Sequence, residues 1–282
     1  MLVPIKTEGH RIFVTGLFIY PIKSCKGIAV QRAEVTPFGF EHDRRFVLTD
    51  EHGKFITQRT EPRLALVHTH IEGSNLLLSA PGMDDISFDI SHGSPEAQET
   101  HITMHRDTCA GLAMEPSINA WFSSFLKTMC FLNRYSPTTP RIKQSSYLQA
   151  AIPVSYADGY PFLVVSEQSL NLLNTKLAAP VTMARFRPNI VVTGPIMPHD
   201  EDMWKEVCIG NEVILSGASR SPRCVMITVD PSTGVFDRNS EPMRTLATYR
   251  KEGSELLFGR NFTPTTNSSI KLDDTVRVIS VL

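Results

Sequence analysis

Cys224 is the residue of this 282-residue chain whose sequence neighbours most favour a catalytic or metal-binding role. It directly follows Arg223, where a polar loop gives way to the apolar run Val225–Val229, which we predict to be a strand. A thiolate at the mouth of a strand, with a guanidinium beside it, suits the binding of a soft metal ion. The same segment also fits a buried cysteine that acts as a small hydrophobe, which is the commoner use of a free cysteine.

Three further loops place cations at the ends of predicted strands: Tyr20–Gly27, Asp43–Phe46 and Arg185–Ile190. Backbone amides and ammonium groups in a tight turn can hold an anion, and arginine can bind phosphate through two parallel hydrogen bonds. Taken singly, each loop also fits a solvated turn or a surface salt bridge. Taken together with the cysteine, in a chain of net charge −1, they indicate a phosphate-bearing cofactor whose metal is bound by a thiolate.

The overall composition excludes several other classes of protein. Hydrophobic residues make up 41% and charged residues 20% of the chain, which is ordinary for a soluble protein. The nearly zero net charge argues against a nucleic-acid partner, and no apolar run is long enough to be a transmembrane segment. The five scattered cysteines contain no C-x-x-C pair, which argues against a disulfide framework. We expect a cytoplasmic protein, although a longer N-terminus could direct it to an organelle.

The elements that must position these loops are mostly short strands. Frequent β-rich runs between turn signals predict a β-barrel-like N-terminal domain over residues 11–135. A turn-rich stretch then leads to a second domain over residues 145–282, with a β-barrel and a few helices. We predict helices capped by Ser117 and by Ser166 and a short helix over Glu241–Arg250. The predicted fold class is therefore mixed but β-rich (α+β).

Several motifs of this chain resemble those of the MOSC proteins. The N-terminal domain of that family is matched by Tyr20–Gly27, Asp43–Phe46 and Gln58–Leu64, and the MOSC domain by Pro161–Glu167, Phe186–Ile190, Trp204 with Ile209-Gly210, and Arg223–Gly234. The motifs occur in the same order as in the family. The chain is most similar to the mitochondrial amidoxime-reducing components and their bacterial relatives. Molybdenum cofactor sulfurases are more distant, and pyridoxal phosphate enters only by homology to them, since their aminotransferase-like domain is not found here.

The resemblance implies a molybdenum cofactor, a molybdopterin whose dithiolene holds the metal and which carries a phosphate. Cys224 stands where the family has its molybdenum ligand, so it is the expected metal-binding and catalytic residue. The positions that match cofactor contacts in the family are Lys23, Ser24, Arg45, Arg187, Asn189 and Arg223. Asp158 and Ser166 fall near the pocket by the same comparison, and Arg59 is a further basic candidate. Pro222 departs from the pattern, because relatives often carry a serine there.

The implied activity is the reduction of small N-hydroxylated substrates such as amidoximes, hydroxamic acids and hydroxylamines. No iron–sulfur domain is found in the sequence, so the electrons are expected from an external donor protein. The family suggests a cytochrome b5 with its reductase, and a ferredoxin-type donor fits equally well. The alternative is a module that carries the molybdenum cofactor, or transfers sulfur to it, without turnover of its own.

Overall fold

The computed structural model describes residues 11–90, 98–105, 107–136, 141–145 and 147–282. Part of the predicted domain boundary lies outside these residues. The predicted β-rich fold is confirmed, because most of the described elements are strands, and seven of these strands form a closed barrel. In the described part of the chain, no helix is long and apolar enough to cross a membrane.

The barrel contains strands from both ends of the chain. Its seven strands, in spatial order, are Phe162–Ser166, Ile190–Thr193, Ile12–Ile19, Thr275–Val281, Trp204–Ile209, Val213–Arg223 and Glu255–Pro264. The last strand pairs antiparallel with the first, which closes the barrel. The strand Ile12–Ile19 belongs to the predicted N-terminal domain, yet it pairs with Ile190–Thr193 and Thr275–Val281. The N-terminal segment is thereby a part of the barrel wall.

Two smaller sheets and one helix form most of the remaining N-terminal part. One sheet has the strands Phe46–Thr49, Phe131–Tyr135, Asp107–Ala113 and Glu99–Met104, and the other has His68–Glu72, Asn75–Ser79 and Ile86–Asp89. The helix Pro116–Leu126 buries the apolar face that its sequence predicts, and this face belongs to the same hydrophobic cluster as Phe46 and Leu48. Ser117 is not the N-cap, since Glu115 holds that position and Pro116 begins the helix. Proline suits the first helical position because its missing N–H would be unpaired there.

The remaining strands are short pieces that link or border these sheets: Ile28–Ala29, Arg32–Thr36, Gly39–Phe40, Arg141–Ser145, Ala150–Val154, Val229–Asp230, Val235–Phe236, Lys251–Glu252 and Ser269–Lys271. Short 3₁₀ helices in the described chain are Pro62–Leu66, Met183–Arg185, Asp200–Met203 and Val225–Thr228.

Helix Glu167–Thr175 begins as predicted, because the Ser166 hydroxyl accepts a hydrogen bond from the Ser169 amide. The helix predicted over Glu241–Arg250 is shorter and spans Met243–Ala247, after Pro242 at its N-cap.

The strand predicted over Val225–Val229 was wrong for most of its length. The barrel strand ends at Arg223, and Val225–Thr228 is a 3₁₀ helix in which the Ile227 amide donates to the Cys224 carbonyl. Ile227 is buried whereas Val225 is exposed, and of the predicted strand only Val229 lies in a sheet. A short apolar run does not by itself distinguish a strand from a helical turn.

Candidate functional site

A cavity of about 250 Å³ opens where the N-terminal loops meet the end of the barrel. We call it the cysteine cavity. Among its described lining residues are Cys224, one carboxylate (Asp158) and five cationic side chains, which are Lys23, Arg44, Lys143, Arg187 and Arg223. The excess of positive charge in a partly enclosed space favours an anionic ligand. Five of the six predicted cofactor contacts and the predicted metal ligand line this cavity, although the sequence separates them by up to 201 positions (224 − 23).

Cys224 lies at the exposed lip of the cysteine cavity. It follows the last residue of the barrel strand Val213–Arg223 and precedes the 3₁₀ helix, so two regular elements hold its backbone. The chain has four other cysteines, and all of them are buried, whereas Cys224 is exposed. The thiol is therefore accessible to a ligand, and the interpretation as a buried small hydrophobe does not hold.

The loop Tyr20–Gly27 brings Lys23 and Ser24 into the cavity wall. The Lys23 amide donates to the Phe46 carbonyl at 2.8 Å, and Ser24 has a left-handed backbone with φ of 72°. The Lys23 ammonium is buried and donates to the Tyr156 carbonyl at 2.8 Å and to the Asp158 carboxylate at 2.6 Å. The backbone of Lys23 is thus held by a main-chain hydrogen bond, and its ammonium is held by a carbonyl and a carboxylate from outside the loop.

Lys23 and Asp158 form an ion pair at the boundary between the cavity wall and solvent. Burial lowers the pKa of Lys23, and the nearby carboxylate only partly offsets this effect. Burial alone would raise the pKa of Asp158, but the Lys23 ammonium and the His105 ring, 3.8 Å away, hold it well below its usual value. Because the Asp158 side chain is 62% exposed, water screens this pair. Lys23 is thus paired with Asp158, whereas Arg187 and Arg223 each keep a buried donor without a partner among the described residues.

Arg187 faces the cavity from a left-handed residue with φ of 54°. Its guanidinium lies over the Tyr20 ring, 4.3 Å from the ring centroid, and its Nη2 is buried without a hydrogen-bond partner among the described residues. Burial lowers the pKa of Arg187 to about 10, while Tyr20 acts in the opposite direction. A buried donor without a partner is costly, and an anion in the cavity would satisfy it.

Arg223 presents a second unused donor. Its guanidinium donates to the Phe186 carbonyl at 2.8 Å and to the Ser221 hydroxyl at 3.0 Å. Its Nε is buried and has no partner within the described chain. Burial lowers the pKa of Arg223. Ser221 thus holds Arg223 in place.

Asn189 lines the cavity but its side chain is engaged in the fold. Its amide nitrogen donates to the Phe18 carbonyl at 3.2 Å, and its amide oxygen accepts from the Leu163 N–H at 3.3 Å. These bonds connect three neighbouring barrel strands at the edge of the cavity. We therefore expect Asn189 to position the site as well as to border it.

Arg45 does not line the cysteine cavity, so its predicted contact with a cofactor remains a prediction. Its guanidinium lies over the Phe38 ring, 4.9 Å from the centroid, and donates to the Thr36 hydroxyl at 3.2 Å. Arg44 lines the cavity instead. The reason is the left-handed backbone of Arg44, with φ of 49°, which directs the two neighbouring side chains to different surroundings. Two adjacent arginines carry no sequence signal that distinguishes them.

Arg44 is tied to three parts of the site. Its Nη1 donates to both oxygens of the buried Asp43 carboxylate at 2.8 and 2.7 Å. Its guanidinium lies 4.1 Å from the centroid of the Tyr20 ring, and its Nη2 donates to the Arg187 carbonyl at 3.2 Å. Arg44 therefore helps to hold the left-handed backbone of Arg187.

Of the other residues that the sequence places near the pocket, one lines the cysteine cavity and two do not. Asp158 lines the cavity, as described above. The Ser166 hydroxyl bonds the buried Glu201 carboxylate at 2.8 Å, so this serine supports a helix rather than the site. Arg59 lies over the Phe55 ring and outside the cavity lining. Lys143 lines the cavity but was not predicted, because it lies in a turn-rich stretch without a recognisable motif.

Comparisons with known proteins identify the family of the chain. The model of the MOSC N-terminal beta barrel domain matches residues 12–129, and the model of the MOSC domain matches residues 152–277. Mitochondrial amidoxime reducing component 2 of Rattus norvegicus is 38% identical, over 93% of this chain and 82% of that protein. Mitochondrial amidoxime-reducing component 1 of Homo sapiens is 34% identical, over 94% and 82%. Molybdenum cofactor sulfurase of Arabidopsis thaliana is 30% identical, over 88% of this chain but 32% of that protein. The chain therefore belongs to the MOSC-domain family, in which it is similar over most of its length to the mitochondrial amidoxime-reducing components.

Proposed function

We propose that this protein is a molybdenum-cofactor-dependent oxidoreductase that reduces N-hydroxylated compounds, with amidoximes, hydroxamic acids and hydroxylamines as the substrate class. The reaction breaks an N–O bond, consumes two electrons and two protons, and releases water. The observation that carries the proposal is the exposed Cys224 thiol at the lip of a cavity whose described lining is strongly cationic. The names of the relatives support the choice of reaction.

The residues present fit a phosphate-bearing molybdopterin. The buried Nη2 of Arg187 and Nε of Arg223 are donors without partners among the described residues, and an anionic group would satisfy both. Lys23, Ser24, Arg44 and Asn189 would border the same group, and the Cys224 thiolate would bind its metal. When bound, the cofactor supplies a centre that takes up electrons and accepts oxygen from the substrate.

The protein's own groups would bind and orient the cofactor. Because Arg223 is fixed by the Phe186 carbonyl and Ser221, and Arg187 is fixed through Arg44, the charged wall is in place before any ligand arrives. Such preorganisation reduces the free-energy cost of ordering side chains when a ligand binds. Cys224 follows Arg223 directly, so its side chain lies at the end of this wall and is exposed to solvent.

The exposed position of Cys224 also supports an external source of electrons. A donor protein could approach a metal bound at the lip of the cavity without entering the fold. We propose a cytochrome b5 with its reductase, or a ferredoxin-type protein, as the donor. The names of the relatives place those proteins in mitochondria, so we propose an association with that organelle in preference to a free cytoplasmic location.

The test is turnover of benzamidoxime to benzamidine by cofactor-loaded protein, with reduced methyl viologen as the electron source. We expect the wild type and Cys109→Ser to turn over and Cys224→Ser to lose at least about 100-fold in rate, a typical loss when a key catalytic group is removed. Cys109 serves as the control, because its thiol is buried in a hydrophobic cluster and does not line the cysteine cavity. Loaded wild-type protein without turnover would contradict the reductase and favour a cofactor carrier or sulfur-transfer module.

A further inference from the structure

A second cavity of about 450 Å³ lies beside the cysteine cavity. We call it the apolar cavity. Much of its lining is apolar and comes from four separate segments, represented by Phe18, Ala65, Met183, Pro188, Val229 and Pro231. Arg187 and Tyr20 also line it, and Arg187 lines the cysteine cavity as well, so the two cavities share a wall. A preformed concave apolar space with a few polar groups is the usual form of a small-molecule site.

The charged residues that line the apolar cavity favour an anionic ligand. Its described lining contains three cationic residues, Lys26, Arg185 and Arg187, and no aspartate or glutamate. Arg185 is already neutralised, since its guanidinium lies 3.1 Å from the Asp230 carboxylate. Lys26 is exposed, and its ammonium lies 3.2 Å from the neutral acceptor His68 Nε2. Lys26 and Arg187 therefore supply positive charge that an anionic ligand could use.

The position of Tyr20 explains why this space stays open. A Cβ at Gly27 would lie 2.4 Å from Cε1 of Tyr20, so only glycine lets the loop pass this close to the ring. The Tyr20 hydroxyl donates to the Pro188 carbonyl at 3.0 Å and holds the ring in the wall. Tyr20 thus gives the cavity one fixed wall.

We propose that the apolar cavity binds an organic anion with an apolar body, such as an alkyl or aryl carboxylate or sulfonate. The apolar body lies against Met183, Pro188 and Val229, and the anionic head binds Lys26 at the mouth. The positive charge of Arg187, in the shared wall, adds to the attraction. This inference does not depend on the proposed redox function, since it rests on the lining of a separate space.

The probe is 8-anilinonaphthalene-1-sulfonate, which fluoresces when its rings enter an apolar site, with octanoate and 1-octanol as competitors. We expect saturable one-site binding that octanoate displaces more effectively than octanol. Lys26→Gln should weaken the binding of octanoate by about tenfold and leave octanol unchanged, because one charge-assisted hydrogen bond is lost. Lys271→Gln is the matched control, as Lys271 is an exposed lysine on a strand away from the cavity.

Filling the cavity gives a second and independent test. Ala184 and Thr182 are both exposed and line the apolar cavity, so tryptophan at either position should project into it without disturbing the core. We expect Ala184→Trp and Thr182→Trp to abolish probe binding and the control Ala247→Trp, on an exposed helix position, to retain it. Binding that survives both filling variants, equal displacement by octanol and octanoate, or no binding to wild type would each overturn the proposal.

Discussion

At the scale of single residues, the site depends on how Arg44 and Arg45 diverge. Arg44 contacts Asp43, the Tyr20 ring and the Arg187 carbonyl, whereas Arg45 lies over Phe38. The resemblance to the family predicts Arg45 as a cofactor contact, whereas Arg44 is the residue that lines the cysteine cavity. The left-handed backbone of Arg44 depends on tertiary contacts of the loop, and residue type alone does not predict it.

Arg44→Lys should therefore harm the site more than Arg45→Lys does. Lysine keeps the charge but loses the two bonds to Asp43 and the stacking on Tyr20. We expect the bound pterin of Arg44→Lys to fall by roughly fivefold or more relative to Arg45→Lys. Pterin content would be measured by fluorescence after oxidative release, with thermal unfolding to confirm that both variants fold. Equal pterin content in the two variants would contradict the larger role expected for Arg44.

His199 gives the molecule a pH dependence that is unrelated to the site. Both of its ring nitrogens are buried without partners among the described residues, and burial, aided by Arg250, lowers its pKa to about 4. Since its pKa is lower in the folded state, the folded protein resists protonation, and stability is lost as the pH falls from about 6.5 to 4.

The test is urea unfolding of the wild type and His199→Asn across this range, because asparagine tolerates the left-handed backbone of His199 with φ of 70°. We expect the wild type to lose about 2 kcal/mol more unfolding free energy than the variant between pH 7 and pH 4. Parallel pH profiles would show that His199 does not carry the effect.

At the scale of elements, the sequence predicted periodic segments well and short irregular ones poorly. The helix Pro116–Leu126 and its five buried apolar residues follow from a clear helical repeat. The 3₁₀ helix after Cys224 was not predicted, because the apolar residues Val225–Val229 also fit a strand. The hydrogen bond to the Cys224 carbonyl, which begins the 3₁₀ helix, is visible only in the structure. The site itself lies at such irregular points, which is why its residue types were predictable and its local backbone was not.

Ser166 supports helix Glu167–Thr175 and does not line the cysteine cavity. Its hydroxyl caps the helix and donates to the fully buried Glu201 carboxylate, so Ser166→Ala removes both interactions. We expect a loss of about 2–4 kcal/mol in unfolding free energy with unchanged pterin content per folded protein. The control is Ser87→Ala, at an exposed strand position. A loss of pterin from folded Ser166→Ala would place this serine back in the cofactor site.

At the scale of the whole molecule, the barrel joins the two predicted sequence domains. The strand Ile12–Ile19 fills the gap between Ile190–Thr193 and Thr275–Val281, and the cysteine cavity takes walls from both halves. The division into residues 11–135 and 145–282 remains a prediction about sequence segments. It assigns the barrel strand Ile12–Ile19 to the N-terminal domain. Long-range strand pairing of this kind leaves no local signal in a single sequence.

Residues 145–282 expressed alone should consequently fail to form the barrel. Without the N-terminal strand, two facing strand edges would be exposed, and exposed edges promote aggregation. We expect this fragment to lack a cooperative thermal transition, and a chain that retains residues 11–282 to show one. The measurement is circular dichroism with temperature. A cooperative transition of the isolated fragment would show that the barrel closes without Ile12–Ile19.

The central claim, that Cys224 binds the metal of a molybdenum cofactor held by the neighbouring cations, is tested most directly by metal and pterin content. Wild type, Cys224→Ser and Cys109→Ser would be purified from a host that makes the cofactor, and molybdenum and pterin would be measured in each. We expect close to one molybdenum and one pterin per chain in wild type and in Cys109→Ser, and a loss of molybdenum or of its thiolate absorption in Cys224→Ser. Wild-type protein without pterin, or Cys224→Ser with unchanged metal and spectrum, would contradict the claim.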